Sequence, residues 1–256
     1  MEQPIRQLIQ RIHLEIDEQT ITSLREQGMK LYGFKGLLST SPGLMVVTAY
    51  RAEAIAGPKT NLVLEPEYLG YIAAGPLPPG TVVAPSATYE AVEGATLDID
   101  DSGQGTESPG GIEGVYGFKN TSPESWDVGL VQKAIDGGPI PICAATLPAN
   151  FVIGMVSGPV VLLTFSDESI VPGEVVETAK NQSILIASAD DRPISISYNA
   201  DSLWKTGGNP AAKILPPGFD LRMLIQPPPS ARNSAVTGAQ PYSQNWNIEP
   251  FLRLLD

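Results

Sequence analysis

The residues able to move a proton or form a bond near neutral pH are few in this chain. It has a single histidine, His13, and a single cysteine, Cys143. Histidine is the ordinary general base, so a Ser-His-Asp or Cys-His arrangement would have to be built on His13. That residue stands on the polar side of the alternating run RIHLEID. There is no Gly-x-Ser-x-Gly elbow, and nothing beside Cys143 suggests an activated thiolate, so nucleophilic hydrolysis is not expected. One cysteine also excludes an intrachain disulfide and a cysteine-based zinc site, and a buried, inert thiol is the expectation for Cys143.

Oxygen ligands are more plentiful. The stretch LDIDDSGQG places Asp98, Asp100 and Asp101 close together beside a glycine. This is a weak calcium candidate, because it lacks the twelve-residue loop and terminal Glu of an EF-hand, and a solvated acidic loop is the plainer reading. The 28 acids are too many to single out a catalytic pair of the glycosidase kind. Phosphate-loop and dinucleotide fingerprints are absent; GGIEGVYG has the glycines but does not open a helix after a strand. No cofactor is implied. A formal charge of −12 without a basic run opposes nucleic-acid binding, which needs clustered Lys and Arg to displace counterions.

What remains is binding. Trp126 in SPESWDVG, Trp204 in NADSLWKTGGN, and Tyr242 and Trp246 in PYSQNWN are aromatics among small polar residues. Such rings stack on a sugar or anchor a protein partner. They serve equally well as plugs at the end of a sandwich.

The elements that would position these side chains are short strands. The 25 glycines and 24 prolines break the chain often, and 42% hydrophobic residues are enough for a core. Near the N-terminus, Ile12, Leu14 and Ile16 alternate with polar residues as in a strand. Asp17 then caps a helix of about ten residues that stops at Gly28. From Lys30 onward, runs such as LMVVTAY, YLGYIAA and ATLDID have strand composition between Gly, Pro and Ser. SGQGTESPGGIEG reads as a loop or linker, after which the β pattern resumes. The end, NIEPFLRLLD, suits a short helix docking Phe251, Leu252 and Leu255.

Two landmarks recur in order: Tyr-Gly-Phe-Lys at Tyr32 and Tyr116, and Pro-Gly-x-Val-Val at Pro79 and Pro172. Their similar spacing suggests a duplicated β unit, with each YGFK opening one copy. In each, Tyr and Phe face one side and Gly and Lys the other. The organisation expected is an N-terminal strand and helix (1–29), a first β unit (30–104), a linker (105–113), a second β unit (114–225) and an irregular C-terminal segment (226–256).

No residue from Gly137 to Ser166 is charged, but four prolines and four glycines divide this region. Buried strands with turns are expected there, and a membrane-entering hairpin is the alternative. The N-terminus has no uninterrupted apolar core of the secretory kind, so a cytoplasmic location is the default, with leaderless export as the other route.

The progression SLREQGMKLYGFKG, WDVGLVQKAI, PICAATL and PVVLLTFSDESIVPGEVVETA resembles a group of uncharacterised β-rich proteins from fungi and bacteria. The resemblance covers most of Leu24 to Tyr198, implies the β class and carries no activity. The sequence thus predicts an all-β protein of sandwich architecture with two similar β units and a short N-terminal helix. It is expected to be non-catalytic and to act by binding, to itself as a homo-oligomer, to another protein or to a glycan in lectin-like fashion. A pore-forming or insecticidal-type toxin using residues 137–166 is the alternative, the only one that involves a membrane.

Overall fold

The computed structural model describes residues 10–53, 57–64, 67–75, 77–90, 94–112, 114–132, 139–187, 192–227 and 254. Among the described residues it is mostly β, with several sheets and one α-helix. In chain order come β1 (Gln10–Ile16), α1 (Glu18–Glu26), β2 (Lys30–Ser39), β3 (Met45–Val47), β4 (Ala49–Glu53), β5 (Lys59–Leu64), β6 (Tyr68–Ala73), β7 (Ala87–Glu90), β8 (Ala95–Ile99) and β9 (Gly105–Pro109). Then follow β10 (Tyr116–Asn120), β11 (Trp126–Gln132), β12 (Ile140–Pro141), β13 (Cys143–Leu147), β14 (Val152–Ser166), β15 (Thr178–Ala179) and β16 (Ser183–Ala187). The last are β17 (Ile194–Asn199), β18 (Leu203–Lys205), β19 (Ala212–Leu215), β20 (Phe219–Asp220) and β21 (Ile225–Gln226).

The first two elements follow from local chemistry. β1 buries Ile12, Leu14 and Ile16 and exposes Arg11 and Glu15. The Asp17 carboxylate accepts from the Thr20 backbone N–H at 2.8 Å and so satisfies one of the unpaired donors of the first turn of α1. β1 is no appendage. It lies between β17, which runs parallel to it, and β5, which is antiparallel, in a four-stranded sheet ordered β18-β17-β1-β5.

The uncharged region supplies the centre of the molecule. β14 is fifteen residues long, and most of it is buried. One of its edges pairs with β10 and β16, the other with β2. The resulting nine-stranded sheet has the path β19-β16-β14-β10-β8-β9, with β4 and β21 joined to β2. A six-stranded sheet, β3-β13-β11-β6-β7 with β12 on β11, packs against it. One apolar cluster runs from Ile12 through Phe34, Phe118, Leu130 and Leu162 to Ile225, so strands from both ends of the chain share a core. Leu254, the one described residue of the C-terminal end, packs on this core.

The expected linker is partly a strand: β9 pairs antiparallel with β8 along its whole length and makes the edge of the large sheet. The two YGFK segments lie in β2 and β10, on opposite edges of β14 and with different further neighbours, β4 in one case and β8 in the other. They do not occupy equivalent places. In β10 the expected facing holds, with Tyr116 and Phe118 buried and Lys119 exposed. In β2 it does not, because Lys35 is only 2% exposed, its ammonium 5.7 Å from the centre of the Tyr50 ring. The two Pro-Gly-x-Val-Val segments behave otherwise. They run antiparallel against each other, with Gly80 N–H donating to Val175 O at 2.9 Å, Val175 N–H to Thr81 O at 2.8 Å and Val83 N–H to Gly173 O at 2.9 Å. Among the described residues no helix is long and apolar enough to cross a membrane.

Candidate binding site

The aromatic and acidic candidates are sorted by burial. Trp204 is 1% exposed, stacked on Phe165 at a centroid distance of 5.2 Å and edge-on to Tyr198, with its indole N–H donating to Gln182 O at 3.1 Å. It is a core residue and presents no surface to a ligand. Tyr242 and Trp246 lie outside the described residues. Trp126, at the start of β11, is half-buried.

Trp126 and the acidic loop come together at the tip of the β8–β9 hairpin. Gly103 sits in the turn at φ +75°, and a Cβ there would lie 2.4 Å from the Trp126 ring. Only glycine suits both the left-handed backbone and the close approach. The indole N–H donates to Ser122 Oγ at 3.0 Å, and Ser122 Oγ–H donates in turn to Asn120 Oδ1 at 2.8 Å. The Asn120 amide fastens this loop to Glu124 O, Leu147 O and Pro148 O. Trp126 is therefore held in place, one face against the hairpin.

The aspartates do not converge on a metal. Asp100 Oδ1 accepts from Ser102 Oγ, Ser102 N–H and Gln104 N–H at 2.7 to 3.0 Å, and these bonds hold its carboxyl below the usual carboxylate range. The carboxylate closes its own turn. Asp98 lies back on β8, 4.0 Å from the Lys119 ammonium, and Asp101 is exposed. Among the described residues no three His, Cys, Asp or Glu side chains gather closely enough to hold a metal ion.

Further down the same hairpin the two sheets leave a shallow cleft whose room, about 20 Å³, suits a single water-sized group. Its inner surface is made by Gly70 of β6, Gly117 of β10 and Leu97 of β8. Tyr89, Thr96, Glu90 and Glu107 also line it, and Tyr116 and Phe118 border it from within the core, 5% and 1% exposed. The glycines are required by packing: a Cβ on Gly117 would lie 2.7 Å from Thr96 Oγ1, and one on Gly70 3.3 Å from the Phe118 ring. Tyr89 ties the sheets together, because its hydroxyl accepts from Gly105 N–H of β9 at 2.9 Å. The strands on either side, β7 and β9, are both sheet edges.

Sequence reasoning missed these residues. Tyr89 and Glu90 carry no role in the sequence reading, and GTESP falls in its loop or linker. Alternation in β7 turns the Tyr89 ring, whose hydroxyl meets Gly105, and the Glu90 carboxylate to opposite faces.

The buried titratable groups lie elsewhere and are occupied. Burial pushes the Cys143 thiol up to about 12. The Tyr71 hydroxyl donates to Cys143 O at 2.7 Å and is raised by burial. Asp127 of β11, 5% exposed, accepts from Thr146 Oγ1 at 2.8 Å, and desolvation raises its carboxyl above the ordinary value. Comparison with family models, with curated proteins and with solved structures gives no match to this chain.

Proposed function

We propose that the protein is a non-catalytic binding protein whose recognition site is the cleft between β7, β8 and β9. The observation that carries this reading is the cleft itself, a small opening lined from the edge strands of two sheets, with Gly70, Tyr89, Thr96, Leu97 and Glu107 around it. Concave sites with apolar walls and a few placed polar groups are the usual form of ligand pockets. The inert setting of Cys143, sealed and high in pKa, supports a binding role over thiol chemistry. Backbone amide shifts measured while ligands are titrated test the proposal: the expected result is movement confined to Gly70, Thr96, Gly117 and their neighbours. Ligands that bind only elsewhere on the surface would overturn it.

Self-association is a second reading, supported by two edge strands that carry exposed apolar side chains, Val63 of β5 and Ile214 of β19. Unpaired edges of this kind can join two copies. Light scattering behind size-exclusion chromatography decides it, and a monomer at high concentration would remove it.

We also propose that the fold contains a duplicated unit in a register different from the one YGFK suggested. The antiparallel set β4-β2-β14-β16 has a counterpart in β13-β11-β6-β7. Equivalent points, Ala49 and Cys143, Pro79 and Pro172, Ala87 and Ser183, Lys30 and Trp126, are 93 to 96 residues apart. The Pro-Gly-x-Val-Val segments, paired with each other, would then lie on the axis relating the copies. This makes the two halves exchange strands instead of standing side by side.

A further inference from the structure

We infer that the outer face of the four-stranded sheet β18-β17-β1-β5 docks a second copy of this chain, which offers it the acidic tip of the β8–β9 hairpin. This rests on the reading of the protein as self-associating, and it replaces contact between edges by contact between two different surfaces. Alternation sets what the face displays. β1 turns Ile12, Leu14 and Ile16 to the core and leaves Arg11, His13 and Glu15 outside. The registers arrange the outward residues in rows. Lys205 of β18, Ser197 of β17, Glu15 of β1 and Lys59 of β5 lie side by side, Ser195, His13 and Asn61 form the next row, and Arg11 stands beside Val63. His13 Nδ1–H donates to Asn61 Oδ1 at 2.5 Å, so the centre of the face is short and polar, with the long basic chains around it.

The charge of this face is reversed relative to the molecule. Three cations, Arg11, Lys59 and Lys205, against one acid, Glu15, give it +2 in a protein of formal charge −12. None of the three cations makes a salt bridge among the described residues. Asp17, just past the end of β1, has its carboxylate engaged by Thr20 and Asn199. The complement of the face is the β8–β9 hairpin. There Asp100, Asp101 and Glu107 are exposed, and they too make no salt bridge among the described residues. Asp100 closes its own turn, which leaves a narrow, ordered tip to lie over the serines.

One molecule cannot bring these two surfaces together. The hairpin joins β14 through β10 at Val152–Met155, whereas the four-stranded sheet meets β14 at its other end, where Phe165 packs on Tyr198 and Trp204. At about 3.3 Å per residue, Met155 and Phe165 are roughly 30 Å apart. The face is therefore matched only by another copy, and opposite potentials favour that encounter. Contact between two unlike surfaces leaves one of each free, so copies add in series. A face four strands wide, at about 4.8 Å per strand and about 16 Å along each, offers roughly 300 Å². That is below the roughly 800 Å² per partner of a stable complex, so the contact is weak and is read at high concentration.

The test is light scattering of the full-length protein as concentration and salt are varied. In about 50 mM sodium chloride the mean mass should rise with concentration and pass that of a dimer by about 1 mM; in about 500 mM it should return to that of the monomer, because screening shortens the reach of the charges. Lys59→Glu with Lys205→Glu, and separately Asp101→Lys with Glu107→Lys, should each weaken association at least about fivefold and leave the melting temperature unchanged. Mixed in equal amounts, these two variants should associate again, because the acidic face of one meets the basic hairpin of the other. Glu15→Gln, which removes the one acid of the face, should strengthen association. Association that persists in high salt and in both double variants would overturn the charged contact while leaving self-association through edges standing. Growth that stops at a dimer would overturn the serial order. A monomer under every condition would remove both this inference and the self-association reading, and if an oligoglutamate peptide then moved the amides of His13 and Ser195, the occupant of the face would be a foreign acidic segment instead of a second copy.

Discussion

Asp127 and Asp17 are acids of opposite character. Asp127 is enclosed on β11 with one hydroxyl partner, and burial raises its carboxyl, so its protonated form is favoured in the folded state. Any stability that protonation contributes is complete below the unfolded value and is lost as pH rises through the folded value. At neutral pH the charge opposes folding. Asp127→Asn keeps the acceptor for Thr146 and removes the charge, so its melting temperature should exceed that of the parent at pH 7 and converge with it near pH 4. Asp17 is lowered, first by the Thr20 backbone hydrogen bond, so its contribution is present above the unfolded value and lost as pH falls. Asp17→Ala should therefore lower the melting temperature at pH 7 and matter less in acid; an equal effect at both pH values would argue against the cap. Cys143, buried and raised to about 12, should not react with a thiol reagent until the protein unfolds. The cap at Asp17 could be read from sequence because it is a local bond. The burial of Lys35 could not, since strand alternation pointed it outward and the covering ring of Tyr50 comes from another strand.

At the scale of elements, the aromatic group formed by Phe165 of β14, Tyr198 of β17 and Trp204 of β18 joins the four-stranded sheet to the large one. Trp204 lies within it, its N–H bonded to Gln182 O, so truncation removes both a large buried ring and a hydrogen bond. Trp204→Ala should cost about 3–5 kcal/mol in chemical denaturation, as large buried side chains do. A loss below about 1 kcal/mol would mean that the two sheets are held together elsewhere. The strands that carry this group were legible where apolar and polar residues alternate, as in Ile194 and Ile196 of β17. β9 was not, because Gly-Thr-Glu-Ser-Pro has the composition of a loop, and it becomes a strand only through pairing with β8 and the hold of Tyr89 on Gly105. The cleft was hidden for the same reason: its lining comes from five strands whose association is not written in any one of them.

For the molecule as a whole, the order of pairing decides how the chain behaves when cut or exposed to lipid. β14 is bonded along both edges and is almost fully buried, so moving residues 137–166 into a bilayer would break its pairing with β2, β10 and β16 together. Dye-filled liposomes should stay sealed, and leakage at any pH would return the toxin reading to consideration. The same exchange of strands speaks to the two units expected from sequence. β1 pairs with β17, β2 with β14, β6 with β11 and β8 with β10, so each half of the chain completes its sheets with strands from the other. A half taken alone would expose the apolar edges and faces that these partners cover. Fragments 1–112 and 113–256, expressed separately, should lack a cooperative melting transition and should regain one on mixing in equal amounts. A dispersed amide spectrum from either fragment alone would instead show that the halves fold independently, and the cleft between β7, β8, β9 and β10 would then have to form by docking of two finished units.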